Sequence, residues 1–398
     1  NHFLDPNPEK FGSKVFFLAM AFPDNPIALL QDLIRIPSVN PDSAPDQGAT
    51  GEGDCARRVA ELLADCGARI ELEEVRPGRP NVIGRFPGEE AKPGILLAPH
   101  LDTVSVAGMT VDPFGAEISE GRIYGRGASD TKGTMAAMLW ALHERRDRIA
   151  TLSVRVAFVG LMGEEAGQPG SQYFARHHGG EFDFAVVGEP TSLETVHAHK
   201  SCIWHRLSAK GRSCHGSTPH EGDNAIRKLM PVLETVISAL EAEFPIYSDP
   251  VLGAPTVSLG MIRGGSSPNI VPDSCEAFLD IRETPALHAA GGSSTLIQRI
   301  LAASGASGQV ELETIGGSRP LLTDPATDGV QRLLSIGSKL AVAPWYCDAG
   351  HLSEGGIPSV ACGPGNIAQA HTRDEFLAIS DLEAGCDFYG RFLDTYAG

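Results

Sequence analysis

The sequence lacks several features that mark other protein classes. Its 398 residues contain no Lys/Arg-rich run, and 50 acidic residues against 32 basic ones give a formal net charge of −18. That charge repels phosphate backbones, so we expect no nucleic-acid partner. No apolar stretch reaches the roughly 20 residues of a membrane helix, so we expect no membrane partner. The chain shows no internal repeat or low-complexity tract.

The cysteines lack the spacing of a metal or disulfide framework. Eight are present without a CxxC pair, in a chain too long to need disulfide bonds. We interpret them as reduced core residues, which predicts a cytoplasmic protein. The alternative is a signal peptide built on the apolar residues 15–22, although that run is short and follows mixed charges. In a third interpretation Met20 is the natural start and residues 1–19 are a non-native extension.

Helix-like and strand-like segments alternate from residue 26 to about 200. Apolar residues recur at helical spacing around Val59 and Met138, which predicts that these stripes are core rather than cofactor contacts. The runs 94–98, 152–161 and 182–187 lie between them, as expected of a sheet covered by helices on both faces. The predicted fold class is therefore α/β.

The order of elements changes at residue 203. Residues 203–316 read as strand, helix, two strands, helix and strand, which is the βαββαβ order of a ferredoxin-like α+β unit. We therefore predict a catalytic domain formed by residues 20–202 and 317–398, with a smaller domain at 203–316 inserted into it. Pro231 is expected to kink the first helix of the insertion or to mark its start.

Candidate ligands follow the carboxyl ends of three strand-like runs. His100 and Asp102 follow the first run, Glu164 and Glu165 the second, and Glu189 the third. Open α/β sheets place their binding crevices at such ends, and zinc, cobalt and manganese accept imidazole and carboxylate ligands. Adjacent acids also repel each other unless a cation neutralises them.

Two further residues extend this set. Asp130 lies in a glycine-rich turn before a predicted helix, where helix capping is the alternative. His371 supplies a second imidazole from far along the chain. Each motif alone has an ordinary explanation, such as a surface His–Asp pair or a solvated acidic loop. Their combination predicts a two-metal hydrolase site.

In this order the motifs resemble those of the M20 family of zinc-dependent amidohydrolases and peptidases. The resemblance covers residues 23–398 and is greatest to the branch of acetylornithine deacetylases and succinyl-diaminopimelate desuccinylases. It rests on HLD, GRGASDTKG, GEEAG, GEPTS, SCHGSTPHEGDNAI, PNIVPDSCEAFLDIR and GPGNIAQAHTRDEF. It implies two divalent metal ions, with zinc expected and cobalt or manganese as substitutes.

The resemblance implies how the metals are held. His100 and Glu189 would hold one ion, Glu165 and His371 the other, and Asp130 would lie between them with a water or hydroxide. Two divalent cations carry four positive charges, which three carboxylates and a hydroxide balance, so such a site becomes nearly neutral when buried.

Other residues receive catalytic roles from the same resemblance. Glu164 would be the general base, and Asp102 would orient His100. His215, reaching in from the inserted domain of a second subunit, would stabilise the oxyanion, with His220 as a weaker candidate. A satisfied loop histidine is the alternative for His215. The resemblance also implies a homodimer formed through the inserted domain.

Arg282 and Asn269 resemble the pair that receives the carboxylate or carbonyl of the substrate. A guanidinium suits this task because its fork binds a carboxylate through two hydrogen bonds. Structural pairing of Arg282 with Asp280 or Glu283 is the alternative.

The predicted function is hydrolysis of the amide bond of an N-acyl amino acid, as in acetylornithine deacetylases, by a metal-bridging water. A carboxypeptidase or dipeptidase acting on acyl-glutamate or dipeptides, or a succinyl-diaminopimelate desuccinylase, is the alternative. The stretch from Cys347 to His351 departs from the family pattern. The resemblance therefore does not assign the residues of an ornithine side-chain pocket.

Two rival classes are disfavoured. A serine hydrolase would need a GxSxG elbow, which the sequence lacks, and Cys214 beside His215 is the one thiol with a suggestive neighbour. A binding protein on an inactive enzyme scaffold is disfavoured because every expected ligand position is filled.

Overall fold

The computed structural model describes residues 21–43, 51–89 and 92–397. The extension predicted at residues 1–19, together with Met20, lies outside the described residues. The helices are α1 (Pro26–Ile34), α2 (Gly53–Asp65), α3 (Lys132–Arg145), α4 (Pro169–His178), α5 (Ala225–Glu243), α6 (Pro285–Ala289), α7 (Gly292–Ala303), α8 (Asp328–Ser335), α9 (Ala349–Glu354) and α10 (Ile379–Asp394). The strands are β1 (Arg69–Arg76), β2 (Arg79–Arg85), β3 (Gly94–Pro99), β4 (Ile118–Ser119), β5 (Arg122–Tyr124), β6 (Arg155–Gly160), β7 (Phe184–Gly188), β8 (Thr195–His199), β9 (Ile203–Lys210), β10 (Thr256–Gly264), β11 (Ser274–Arg282), β12 (Val310–Gly317), β13 (Leu321–Leu322), β14 (Leu340–Ala343), β15 (Ser359–Ala361) and β16 (Phe376–Ala378).

A mixed sheet forms the centre of the larger part of the molecule. Its strand order is β1-β2-β6-β3-β7-β15-β8-β13, with β14 paired to β8. The strands β6, β3, β7 and β15 run parallel to one another, whereas β2 pairs antiparallel with both β1 and β6 at one end of the sheet. Parallel neighbours require crossover connections, and helices supply them here. The predicted α/β class is confirmed.

The central sheet is buried on both faces. Along β3, Ile95 and Leu97 pack into a core with α1, α2, α3 and α10, whereas Leu96 and Ala98 pack into a second core with α4 and α9. This alternation arises because successive side chains of a strand point to opposite faces of its sheet. The methionines of α3 are fully buried in the first core, in agreement with the prediction that they are core residues.

Residues from Ile203 to Gly317 form a second, antiparallel sheet with strand order β10-β11-β9-β12. Helices α5 and α7 pack on it around a separate apolar core. The element order matches the ferredoxin-like prediction. Helix α5 begins directly after its N-cap residue Asn224, whose side chain accepts a hydrogen bond from the backbone N–H of Arg227. The helix continues through Pro231. The expectation that Pro231 could mark the helix start is therefore wrong.

Two predicted strands have different bounds in the structure. The run predicted at 152–161 becomes β6 only from Arg155 to Gly160, because residues 152–154, which follow the 3₁₀ turn at 149–151, form a bend. The run predicted at 182–187 becomes β7 at Phe184. No helix in the described part of the chain is long and apolar enough to cross a membrane. All eight cysteines are free, and seven of them are buried.

A small third sheet joins distant parts of the chain. Strand β5 pairs with β4 on one side and with β16 on the other. Because β16 begins at the last residue of the HTRDEF stretch and β5 precedes the glycine-rich turn of Asp130, this pairing brings those two segments together.

Candidate metal centre

Three neighbouring parallel strands deliver their following residues to one edge of the central sheet. His100 follows β3, the central strand of the three, and its backbone forms a bridge with Leu161 after β6. Glu164 lies a few residues beyond Leu161, and Glu189 directly follows β7. The parallel direction of β6, β3 and β7 therefore places these side chains at a common cleft.

A glycine makes the acidic turn after β6 possible. Gly163 has φ = +79°, and a Cβ atom at this position would lie 2.8 Å from Cγ of Pro169. A side chain would be both strained and blocked there. The chain then forms a short 3₁₀ turn at Glu164–Ala166, which directs two adjacent glutamates toward the cleft.

Asp102 organises this turn as well as the neighbouring histidine. Its carboxylate accepts the backbone N–H groups of Glu164 and Glu165 at 3.0 Å each, and the side-chain amide of Asn40 at 2.7 Å. The Nδ1 atom of His100 lies 3.0 Å from the backbone oxygen of Asp102 and 3.5 Å from its Oδ1. The sequence predicted only the contact with His100.

Asp130 lies between two imidazoles. Its Oδ1 is 3.0 Å from Nε2 of His100, and its Oδ2 is 3.4 Å from Nε2 of His371. Nε2 of His371 also lies 3.0 Å from Oε2 of Glu165. Within each of two sets, His100, Asp130 and Glu189 and then Asp130, Glu165 and His371, one ligand atom per residue lies within 4.8 Å of the others. Asp130 is common to both sets.

A carboxylate that sequence reasoning missed holds the loop of Asp130. Glu375 accepts the backbone N–H groups of Ser129 at 2.8 Å, Asp130 at 2.9 Å and Gly127 at 3.0 Å, and it pairs with Arg126 at 2.9 Å. Asp130 does not cap α3, because the N-cap position is the residue after it. The capping alternative is therefore wrong. The feature of the sequence that could have identified Glu375 is its place in the HTRDEF stretch, which also carries His371.

The acidic groups repel each other strongly in the absence of a cation. Burial raises the pKa values of Glu164 and Glu189 well above their usual range, and neighbouring carboxylates add to both shifts. Burial and Asp130 raise the pKa of Glu165 to about 7. Hydrogen bonds with Asp130 and Glu165 raise the pKa of His371 to about 10. Protons thus neutralise part of the cluster.

The residues fit a pair of divalent metal ions. The Oε1 atom of Glu189 is buried and has no hydrogen-bond partner among the described residues, although a buried carboxylate oxygen normally has one. The two sets offer imidazole nitrogens and carboxylate oxygens, which suit zinc, manganese and cobalt. A cation would satisfy the orphaned oxygen and replace the protons that the carboxylates otherwise need.

Asp348 and Gln168 are further residues that the sequence did not assign. Asp348 belongs to the stretch that departs from the family pattern, and its side chain is almost fully buried. Burial raises its pKa to about 7, and its charge contributes to the raised pKa values of Glu164 and Glu189. The side-chain amide of Gln168 donates to Oε1 of Glu164 at 2.7 Å.

The structure brings one of the three predicted residues of the inserted domain to this cleft. The cleft has a volume of about 430 Å³, and Arg282 lies on its wall with Trp345 and Tyr346. Arg282 also pairs with Asp280, as the structural alternative predicted. His215 and Asn269 are exposed and lie beside each other in the inserted region, away from the described cleft wall.

Comparisons with known proteins identify relatives of this chain. Residues 96–395 match the model of peptidase family M20/M25/M40. The acetylornithine deacetylase of Yersinia pseudotuberculosis serotype I is 32% identical over 386 residues, covering 93% of this chain and 97% of that protein. The acetylornithine deacetylase of Proteus mirabilis is 30% identical over 382 residues, covering 93% of this chain and 96% of that protein.

Solved structures share the fold at lower identity. An M20 family metallo-carboxypeptidase from Sulfolobus solfataricus superposes with a TM-score of 0.74 at 21% identity, covering 94% of this chain and 100% of that one. A dinuclear metal-binding M20 peptidase from Bacillus subtilis superposes with a TM-score of 0.66 at 16% identity, covering 93% and 97%. These likenesses support the fold assignment.

Metal should stabilise the protein more at neutral than at acidic pH. The raised pKa values of Glu165 and Asp348, both about 7, mean that the metal-free fold holds extra protons and loses stability as pH rises through 7. The contribution of His371 is lost in the same direction, as pH rises toward about 10. Melting temperatures with and without zinc should therefore differ more at pH 7.5 than at pH 5.5. An equal difference at both values would contradict this account.

Replacing Glu375 should weaken metal binding, although Glu375 is not itself a proposed ligand. Glu375→Gln removes the charge that holds the Asp130 loop, so zinc affinity should fall about 10–100-fold in competition with a chelating dye. Asp394→Asn is a matched control, because Asp394 also pairs with an arginine, Arg145, but at the far end of α3, about 20 Å away. Equal losses in both variants would indicate general destabilisation instead.

Proposed function

This chain belongs to peptidase family M20/M25/M40, and we propose that it hydrolyses the amide bond of N-acyl amino acids. The position of Asp130, with one oxygen toward His100 and the other toward His371, is the observation that carries the proposal. The sequence similarity to acetylornithine deacetylases over nearly the whole chain supports N-acetylornithine as the first substrate to test.

We propose that the two sets sharing Asp130 hold two divalent ions, zinc first, with cobalt or manganese as substitutes. His100 and Glu189 would bind one ion, and Glu165 and His371 the other. Bound divalent ions lower the pKa of water and polarise an amide carbonyl. Asp102 would keep the His100 ring in place through its backbone oxygen, 3.0 Å from Nδ1.

Glu164 is proposed as the general base. It follows the same strand as the ligand Glu165, and the amide of Gln168 holds its Oε1. Its carboxylate would take a proton from the attacking water and return that proton to the departing amine nitrogen, so that the amide bond is replaced by a carboxylate and a free amine. Positive charge in the cleft would favour the ionised form that this role requires.

Arg282 is proposed to receive the free carboxylate of the substrate. Among the described residues that line the cleft, it is the one Arg or Lys, whereas Asp130, Glu164, Glu165 and Glu189 line the same space. A carboxylate-bearing substrate therefore has one guanidinium to bind at a fixed place on the wall.

The inserted region, residues 203–316, is proposed to act as a lid and dimerisation domain. Strand β10 is an edge of its sheet, and Leu259, Met261 and Ile262 on that strand are 42–50% exposed. An apolar edge of this kind supports pairing with a second subunit. His215 and Asn269 would then reach a cleft after assembly or lid closure. The free cysteines support a cytoplasmic location.

A substrate screen tests the proposed reaction. Zinc- or cobalt-loaded protein should release free amine from N-acetylornithine or related N-acetyl amino acids faster than from N-succinyl amino acids or dipeptides. Exhaustive chelation should remove the activity, and added metal should restore it. Preferred turnover of dipeptides or N-succinyl compounds would exclude the deacetylase assignment.

Glu164→Gln provides the internal control for this screen. The variant should keep both metals but lose about 10²–10⁴-fold in turnover, because the proton acceptor is gone while the ligands remain. Metal content by atomic spectroscopy separates the two effects. Loss of metal in the variant would instead indicate that Glu164 is a metal ligand.

His215→Ala should lower kcat about 10²–10³-fold if this histidine donates to the oxyanion. His220→Ala is the comparison variant, because His220 is the weaker candidate for the same role and is also exposed in this segment of the inserted region, so its kcat should fall less. Steady-state kinetics on the best substrate of the screen provides the measurement. An unchanged kcat for His215→Ala would mean that His215 is an ordinary loop histidine with no role in the reaction.

A further inference from the structure

The guanidinium of Arg282 is fixed from one side before any substrate arrives. Its Nε donates to Oδ1 of Asp280 at 2.8 Å, and its Nη2 donates to Oδ2 of Asp280 at 3.1 Å. Two of its five N–H groups are thereby used on one edge, and three N–H groups remain on the other edges. The pairing with Asp280 therefore leaves Arg282 able to bind a second carboxylate.

Asp280 is fixed in turn by a neighbour across the sheet. It lies directly opposite Trp204 in the pairing of β11 with β9, and the indole Nε1–H of Trp204 donates to its Oδ2 at 3.1 Å. The Sγ atom of Cys202 lies 3.6 Å from the same oxygen. Asp280 thus has partners that keep its carboxylate oriented toward Arg282.

A glycine on the next strand provides space for the indole. Gly316 lies opposite Trp204 in the pairing of β12 with β9, and a Cβ atom at Gly316 would come within 3.2 Å of Cε3 of Trp204. Gly316, Trp204, Asp280 and Arg282 therefore form a connected row across three neighbouring strands, which we call the arginine anchor. The row ends at the metal cleft, where the guanidinium carbon lies 5.9 Å from the centre of the Tyr346 ring.

The acidic cleft explains why an arginine at this place needs an anchor. Glu164 and Glu189 line the same cleft, and a long unrestrained cation would be attracted to them wherever neither protons nor metal ions neutralise their charge. A guanidinium bound to those carboxylates would no longer be available to a substrate. Anchoring also reduces the loss of side-chain entropy that occurs when Arg282 binds the substrate.

We propose that Asp280 and Trp204 are positioning residues that hold Arg282 ready for the free carboxylate of the substrate. They thereby make the enzyme selective for N-acyl amino acids over the corresponding carboxamides. This inference rests on the proposed function, since it assigns the carboxylate site of the same reaction. Neither positioning residue needs to touch the substrate.

The test compares Asp280→Asn with the unaltered protein on an N-acyl amino acid and its carboxamide. The KM for the carboxylate substrate should rise about tenfold, because the charge-assisted bonds that orient Arg282 are weakened. The carboxamide KM and both kcat values should stay unchanged. Trp204→Phe keeps a ring over Gly316 but loses the N–H donor, and its carboxylate KM should rise about threefold.

Two variants calibrate the comparison. Arg282→Ala should abolish the preference for the carboxylate substrate. Glu276→Gln is the matched control, because Glu276 lies on the same strand and pairs with Arg206 at 3.6 Å, and it should leave both KM values unchanged. Melting temperatures of all variants show whether a change in KM accompanies a loss of folding.

Equal effects of Asp280→Asn on both substrates, or no effect on either, would overturn the proposal. A carboxylate preference that survives Arg282→Ala would overturn it as well. Calorimetric binding of N-acetylglycine and N-acetylglycinamide to metal-loaded proteins carrying Glu164→Gln measures the same preference without turnover. Failure of the unaltered protein to hydrolyse any N-acyl amino acid would therefore contradict the proposed function alone, while the binding comparison still decides the role of the arginine anchor.

Discussion

Concentrated negative charge at one edge of the central sheet is the constraint on which the active cleft depends. Asp130, Glu164, Glu165 and Glu189 line a single cleft, and burial raises the pKa values of all three glutamates. Such a cluster is stable only with protons, histidines or metal ions to compensate it. The cluster therefore favours divalent cations, and protons and histidines compensate part of its charge when no cation is bound.

Two carboxylates outside the proposed ligand sets give this cleft its rigidity. Asp102 accepts the backbone N–H groups of the acidic turn, and Glu375 accepts those of the Asp130 loop. Each therefore fixes a loop that carries ligands. Buried acids that bind backbone N–H groups are pre-organised supports, because their charge is satisfied by the same contacts that hold the loop in place.

The inserted region contributes the opposite charge to the same cleft. Arg282 reaches the cleft from β11 and is paired there with Asp280. Structural pairing and substrate binding were alternatives at the level of sequence, whereas the geometry allows one arginine to do both. The cleft thus has an acidic floor built by one sheet and a cationic contact presented by another.

Local patterns in the sequence determined the α/β class, the ferredoxin-like insertion and the positions of His100 and Glu189, since each rests on strand periodicity and on residues just beyond a strand. The supporting role of Glu375 was not accessible in this way, because its carboxylate meets Asp130 across 245 residues of chain. The pairing of β5 with β16 decides that contact. The sequence by itself determined which residues could bind metal. Only the tertiary structure decided which of them meet, because long-range strand pairing sets distances that no local pattern contains.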